Sequence, residues 1–395
     1  MKKIYLAAFL LFPVLTVILV SASPAHSQFT WPPICQEGSL PSDDPKNPED
    51  HHQLIVICIP PNWNGRLILY ARGYELPQLP LELPIDELTL EDGTFVPAPI
   101  LMQDFAFAAT SFRKNGVAIE QGTEDLNQLL EHFKSVAPRP PQKVYVTGAS
   151  EGGLIVLRLL ERYASKYDAG LALCAPLNGS PDLIKYIYDF RVVFDYFFPS
   201  VFPFGAVDVP ENAYLFWEVY ESRIIMALMS DQSATAQLFS VTKAPVDPLD
   251  PTSLFKTALS LLSYNIFGFN DLVATAGGIA VDNRSTTYTG SFNDPALNGG
   301  VERIKGDGRA RAYARRFYEP TGTLRRPLVT LHNTLDPVVP FSHEQIYREL
   351  VAQKHKSAFL TVIEVDGYGH CDFTAQEVFD AFALMVQQAE AQLVN

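Results

Sequence analysis

Ser150 is the residue whose surroundings best prepare it for chemistry. It lies in Gly148-Ala149-Ser150-Glu151-Gly152-Gly153, preceded by the apolar run Val144-Tyr145-Val146-Thr147 and followed by Leu154-Ile155-Val156-Leu157. That is a strand, a tight glycine-flanked turn and a helix, the context in which the pattern G-x-S-x-G acquires meaning. A serine on such a turn projects its hydroxyl while the backbone is crowded on both sides. Gly148 and Gly152 relieve the crowding, and the N-terminus of the following helix favours developing negative charge. The chemistry to expect is nucleophilic attack by the hydroxyl, which needs a base to take its proton and an acid to orient the base.

In this arrangement the chain resembles the α/β-hydrolase superfamily, in which the nucleophile is followed in sequence by an acid after the seventh strand and a histidine after the eighth. Leu328-Val329-Thr330-Leu331 leads into His332-Asn333-Thr334-Leu335-Asp336-Pro337-Val338-Val339-Pro340, similar to the family's D-x-x-V-P loop. The run 359–364 leads into Val365-Asp366-Gly367-Tyr368-Gly369-His370, similar to its G-H ending. The resemblance implies Ser150 as nucleophile, His370 as general base and Asp336 as the acid that holds the imidazole. It also implies two backbone N–H donors for an oxyanion. One is Glu151, and the other is Gly73 or Tyr74 in Ala71-Arg72-Gly73-Tyr74, where Arg72 stands in place of the family's usual histidine. Asp366 and Asp182 are the competing acids. His343 and His355 fit the two ends of the intervening helix, at the surface. The segment 111–116 is either a polar turn or part of the pocket wall.

Other elements must position these residues. Short apolar runs at 54–59, 67–70, 105–110, 144–147, 170–174, 328–331 and 359–364 alternate with helix-period segments, the pattern of a mostly parallel, doubly wound α/β sheet. Leu126, Leu129, Leu130 and Phe133 share one helical face. So do Val378, Phe382, Met385 and Ala389, preceded by Thr374 and Glu377 at capping-box spacing. Between residues 178 and 323 the alternation stops, which predicts a largely helical cap inserted into a catalytic domain made of 28–177 and 324–395. Nine aromatics fall within 186–204. They pack the cap against the body or line an apolar acyl pocket above Ser150, and a pocket of that kind favours a carboxylic ester over a highly charged substrate.

The chain has 395 residues, 47% of them hydrophobic and 19% charged, enough for one large domain with an insertion. Lys2 and Lys3, an apolar run over 4–20 and small residues around Ala25 and Ser27 read as a signal peptide over 1–27. The expected product is secreted or periplasmic, with no stable membrane insertion after cleavage. A formal charge of −14 disfavours nucleic acid. The Arg303–Arg316 cluster reads as a solvated helix face. The expected partner is a small-molecule ester, with no cofactor and no metal, because the four cysteines lack ligand spacing. In the resembled fold the sixth strand lies beside the fifth, which implies a Cys174–Cys371 bridge at the catalytic edge and leaves Cys35 to Cys58. The alternative is a buried thiol at Cys174 and a packing residue at Cys371. His370-Cys371 is also similar to the tannase and feruloyl-esterase branch, in which that cysteine is bridged to one before the serine, but here Ala149 occupies the second place. A prolyl-oligopeptidase-like peptidase and a catalytically silent binding scaffold are the alternative functions.

Overall fold

The structure, a computed structural model, describes residues 31–41, 52–90 and 92–391. The expected leader lies outside these residues. In chain order the strands are β1 (Cys35–Pro41), β2 (His52–Cys58), β3 (Arg66–Ala71), β4 (Ala106–Thr110), β5 (Lys143–Ala149), β6 (Ala169–Leu173), β7 (Leu328–Leu335) and β8 (Leu360–Tyr368). The helices are α1 (Pro97–Met102), α2 (Ile119–Val136), α3 (Glu151–Arg162), α4 (Ser180–Phe197), α5 (Trp217–Ser230), α6 (Gln232–Thr242), α7 (Ser253–Ala276), α8 (Asp294–Gly300), α9 (Gly308–Tyr318), α10 (Ser342–Gln353) and α11 (Ala375–Ala391). The sheet order is β1-β2-β4-β3-β5-β6-β7-β8. Only β1 and β2 run antiparallel to their neighbours.

The central strands read as continuous apolar runs because both faces of the sheet are covered. Leu67, Leu69 and Ala71 of β3 join one core with α2 and α3, whereas Ile68 and Tyr70 join a second core on the opposite face. Helix α2 buries Leu126, Leu129, Leu130 and Phe133 in the first core. Helix α11 buries Val378, Phe382, Met385 and Ala389 in the second. The start of α11 is a reciprocal cap: Glu377 Oε2 accepts from the Thr374 N–H at 2.8 Å, and the Glu377 N–H donates back to Thr374 Oγ1 at 3.3 Å.

Each expected strand occurs, with ends displaced by a few residues. β1 was not expected from the apolar pattern. Its residues are mostly polar and exposed, and it is held by full antiparallel pairing to β2 and by the Cys35–Cys58 disulfide. Between β6 and β7 the chain forms the six helices α4 to α9, a cap over the C-terminal edge of the strands. Asp271 of α7 fastens it to the body, accepting from Lys114 Nζ at 2.9 Å and from the Val117 N–H at 2.7 Å. The Tyr186 hydroxyl of α4 donates to Pro337 O at 2.9 Å. Within the Arg-rich cluster, Arg309, Arg311, Arg315 and Arg316 lie exposed on α9, whereas Arg303 precedes that helix.

Candidate active site

Ser150 sits between β5 and α3 with φ 52° and ψ −119°, a conformation that L-residues rarely adopt. Its N–H donates to Leu173 O at 2.8 Å, which ties the turn to the neighbouring strand. The flanking glycines are required by space. A Cβ on Gly152 would run into Ala71 O, and one on Gly148 would stand 2.7 Å from the Gly152 carbonyl.

Strand β7 carries the chain to Asp336, which is fully buried. Its Oδ1 accepts from the Val338 and Val339 N–H groups at 2.8 and 2.9 Å. Its Oδ2 lies 2.7 Å from His370 Nδ1, and His370 Nε2 lies 2.9 Å from Ser150 Oγ. Burial alone would raise the Asp336 pKa. The His370 and His332 rings outweigh it and hold the carboxyl below its ordinary value. The His370 loop is fixed by a reciprocal pair, Asn333 Nδ2 to Asp372 O at 2.9 Å and the Asp372 N–H to Asn333 Oδ1 at 3.1 Å. It is fixed further by the Cys174–Cys371 disulfide, whose Cα atoms are 5.2 Å apart. Ala149 is the register partner of Leu173, which sets Cys174, just beyond β6, beside the Ser150 turn.

The N–H of Glu151, at the first residue of α3, has no acceptor among the described residues, nor does that of Tyr74. Gly73 differs. Its N–H donates to Glu87 Oε1 at 2.8 Å and to Oε2 at 3.0 Å, which removes it from the free donors. The guanidinium of Arg72 holds this loop from within, donating to Ser111 O at 2.6 Å, Lys114 O at 2.9 Å and Asn115 Oδ1 at 2.8 Å.

Ser150 opens into a cavity of about 720 Å³, mouth included, whose wall is chiefly apolar: Val117, Leu183, Ile184, Ile187, Phe269 and Leu272, with Tyr74, Tyr188 and Tyr264. The 186–204 aromatics contribute little of it beyond Tyr188. Phe190 and Phe194 are fully buried in the cap core instead, and the Phe202 and Phe204 rings lie against the buried Arg191 guanidinium. None of residues 111–116 lines the cavity; Ser111, Phe112, Arg113 and Asn115 are buried, and Ser111, Lys114 and Asn115 accept from Arg72. Glu151 is the one acidic residue among the lining residues, and its buried carboxyl accepts from the Ala118 N–H at 2.9 Å. Burial raises its pKa to about 7, against the opposing pull of the Ala118 N–H, Arg72 and Lys114. The Tyr74 hydroxyl is buried with no partner among the described residues.

Some expected positions differ. His343 is 4% exposed rather than at the surface, because the first turn of α10 faces into the body. His355 is exposed, as is Asp366 on β8. Asp182 lies in the first turn of α4, paired with the Asn178 amide. Cys174, His370 and Cys371 bring three ligand-type atoms within 4.8 Å, but the disulfide leaves no thiolate to bind a metal. Sequence reasoning missed Glu87, Asn333, His332 and Glu344, whose partners lie far away in sequence.

The family described as Serine aminopeptidase, S33 matches residues 114–237. The match covers under a third of the chain, and with the strand order and the elbow it accords with an α/β-hydrolase fold. No curated protein matches the sequence. Among solved structures, the chain is similar to feruloyl esterase B from Aspergillus oryzae, at 14% identity and a TM-score of 0.48, covering 91% of this chain and 80% of that one. It is similar to an esterase of Pyrococcus furiosus at 13% identity and a TM-score of 0.44, covering 91% of each chain. It is also similar to an acylaminoacyl peptidase of Pyrococcus horikoshii at 10% identity and a TM-score of 0.42, covering 85% of this chain and 37% of that one.

Proposed function

We propose that the protein is an exported serine hydrolase that cleaves carboxylic esters with an apolar or aromatic moiety through an acyl-enzyme. The observation that carries this reading is the unbroken line Ser150 Oγ, His370 and Asp336, with contacts of 2.9 and 2.7 Å, at the base of an apolar cavity. His370 Nε2 takes the Ser150 proton as Oγ attacks the acyl carbon, then returns it to the leaving alcohol. Asp336 holds Nδ1–H and stabilises the imidazolium. Water then attacks the acyl-enzyme by the same route in reverse roles. The developing oxyanion is met by the N–H groups of Glu151 and Tyr74. The cavity wall desolvates the site, which strengthens those donors. Export is consistent with the two disulfides.

A peptidase reading is favoured by one observation, an acidic residue, Glu151, among the residues lining the cavity, which suits a substrate amine, and it accords with the name of the matched family. The predominantly apolar wall favours the ester. Hydrolysis of p-nitrophenyl esters of graded chain length, measured beside aminoacyl anilides, separates the two. A fluorophosphonate should label the protein at Ser150, and a folded Ser150→Ala variant should lose label and ester hydrolysis together. Substantial hydrolysis by that variant would refute the proposal.

A further inference from the structure

Against Asp336 lies a polar cluster that attack by Ser150 does not itself require. His332 of β7 and Glu344 of α10 are both fully buried. His332 Nε2 is 2.8 Å from Val339 O and 3.5 Å from Asp336 Oδ2, and its Nδ1 is 3.3 Å from Glu344 Oε1. Glu344 Oε2 accepts from the Thr330 hydroxyl at 3.0 Å. Both ring nitrogens therefore face oxygens that accept. A neutral imidazole has a single N–H and would leave a lone pair against an acceptor at a distance too short for water to intervene. A ring protonated at both nitrogens satisfies both sides.

We infer that His332 is a buried imidazolium, clamped between Glu344 and Asp336, and that it positions the acid of the triad. The inference rests on the reading of Asp336 and His370 given above. Asp336 Oδ1 is taken by two backbone amides, and Oδ2 faces both rings, hydrogen-bonded to His370 Nδ1 at 2.7 Å and ion-paired to His332 at 3.5 Å, so the charge on His332 draws the carboxylate into the orientation it presents to His370. Glu344 balances the charge, so the clamp adds no net charge beside the general base.

The surrounding charges agree. Burial alone would lower the His332 pKa, but Asp336 and Glu344 on its two sides raise it to about 10. His343, the preceding residue of α10, is pushed down to about 4, first by burial and then by the charge on His332. Its Nδ1 faces the Asn178 N–H at 3.3 Å and accepts from it. On β8 the register partner of His332 is Glu364, engaged by Arg348 of α10 at the surface. Tyr347 of α10 turns away to Glu161. On the remaining sides stand the Phe341 ring and, near Asp336, the Tyr186 hydroxyl.

Two measurements test the inference. In protein labelled with ¹⁵N-histidine, one ring absent from His332→Gln should keep protons on both nitrogens up to about pH 9. A His332 ring that is neutral below pH 8 would overturn the inference, whatever the triad does. The second is the pH profile of kcat/KM on a p-nitrophenyl ester. His332→Gln leaves Glu344 uncompensated beside the dyad, so the acid limb should move up by about one pH unit. It should return to the unsubstituted position in the double variant His332→Gln/Glu344→Gln, where the cluster is again without net charge. A limb that stays in place in both variants, with activity falling only as the melting temperature falls, would show a packing role and reject the inference. If instead Ser150→Ala hydrolyses as fast as the unsubstituted protein, the triad reading fails, and the labelling result still decides the state of His332.

Discussion

Glu151 acts through two separate groups, and they predict different things. Its N–H is proposed to meet the oxyanion, and a side-chain change leaves that N–H in place. Its carboxyl is buried, with a pKa raised to about 7, against an ordinary value of about 4.3 in the unfolded chain. The folded state therefore binds the proton more tightly. The resulting stabilisation is complete below the ordinary value and is lost as pH rises through about 7. Glu151→Gln should thus be more stable than the unsubstituted protein at pH 8, by on the order of 2 kcal/mol, and should show no such advantage at pH 4. Urea unfolding at the two pH values checks this, and an equal difference at both would contradict it. Asp336→Asn should leave the fold intact and lower kcat about 10⁴-fold, since a wrong imidazole tautomer is the expected defect. Ser150, Asp336 and His370, which the structure brings into contact, could be singled out in the sequence because each is announced by its immediate neighbours. Glu87 and His332 were not. The N–H that Glu87 occupies is 14 residues away and the partner of His332 in α10 is 12 residues away, and no local pattern marks either as buried.

At the scale of elements, the central strands were legible because a strand covered on both faces must be apolar throughout. β1 was not, because an edge strand can be polar wherever pairing and a covalent bond hold it. The two disulfides differ in the same way. Cys35–Cys58 joins β1 to the adjacent β2 across 23 residues, whereas Cys174–Cys371 spans 197 and fixes the loop that carries His370. Chain-entropy arguments assign about 3 kcal/mol to a loop of some 15 residues and nearly 5 kcal/mol to one of about 100. Replacing Cys174 and Cys371 together by Ala should therefore cost more stability than replacing Cys35 and Cys58. It should also lower kcat roughly tenfold by loosening His370, while the Cys35/Cys58 pair leaves kcat within about twofold. Thermal melts and initial rates of the two double variants suffice. A Cys174/Cys371 variant with unchanged kcat would show that the Asn333–Asp372 pair holds the His370 loop unaided.

Over the whole molecule, the cap meets the catalytic edge through fixed contacts at Asp271, Tyr186 and Tyr368, the last linking the His370 loop to α7 through Thr257 at 2.9 Å and Ser253 O at 3.1 Å. The dense aromatics of 186–204 fitted either packing of the cap or a substrate wall; most of them serve the interior of the cap, while α7 supplies Tyr264, Phe269 and Leu272 to the cavity. Aromatic density in a sequence cannot separate these roles, because both bury rings at helical spacing. Mutation can. Phe194 is fully buried and stacks against Phe198 and Phe202 at centroid distances of 5.1 and 6.0 Å, away from the cavity wall. Phe194→Ala should cost about 3–5 kcal/mol, as large deletions in a well-packed interior do, with chain-length preference unchanged among molecules that remain folded. Leu183 lines the cavity and is only partly buried, so Leu183→Ala should cost little stability. Its removal should shift preference toward longer or bulkier acyl groups, since a pocket discriminates roughly 10- to 200-fold per methylene accommodated. The measurements are kcat/KM across p-nitrophenyl esters of increasing chain length, beside the melting temperature of each variant. If Leu183→Ala leaves the chain-length profile unchanged while Phe194→Ala alters it, substrate does not enter between α4 and α7, and the acyl group must be placed elsewhere along the catalytic edge.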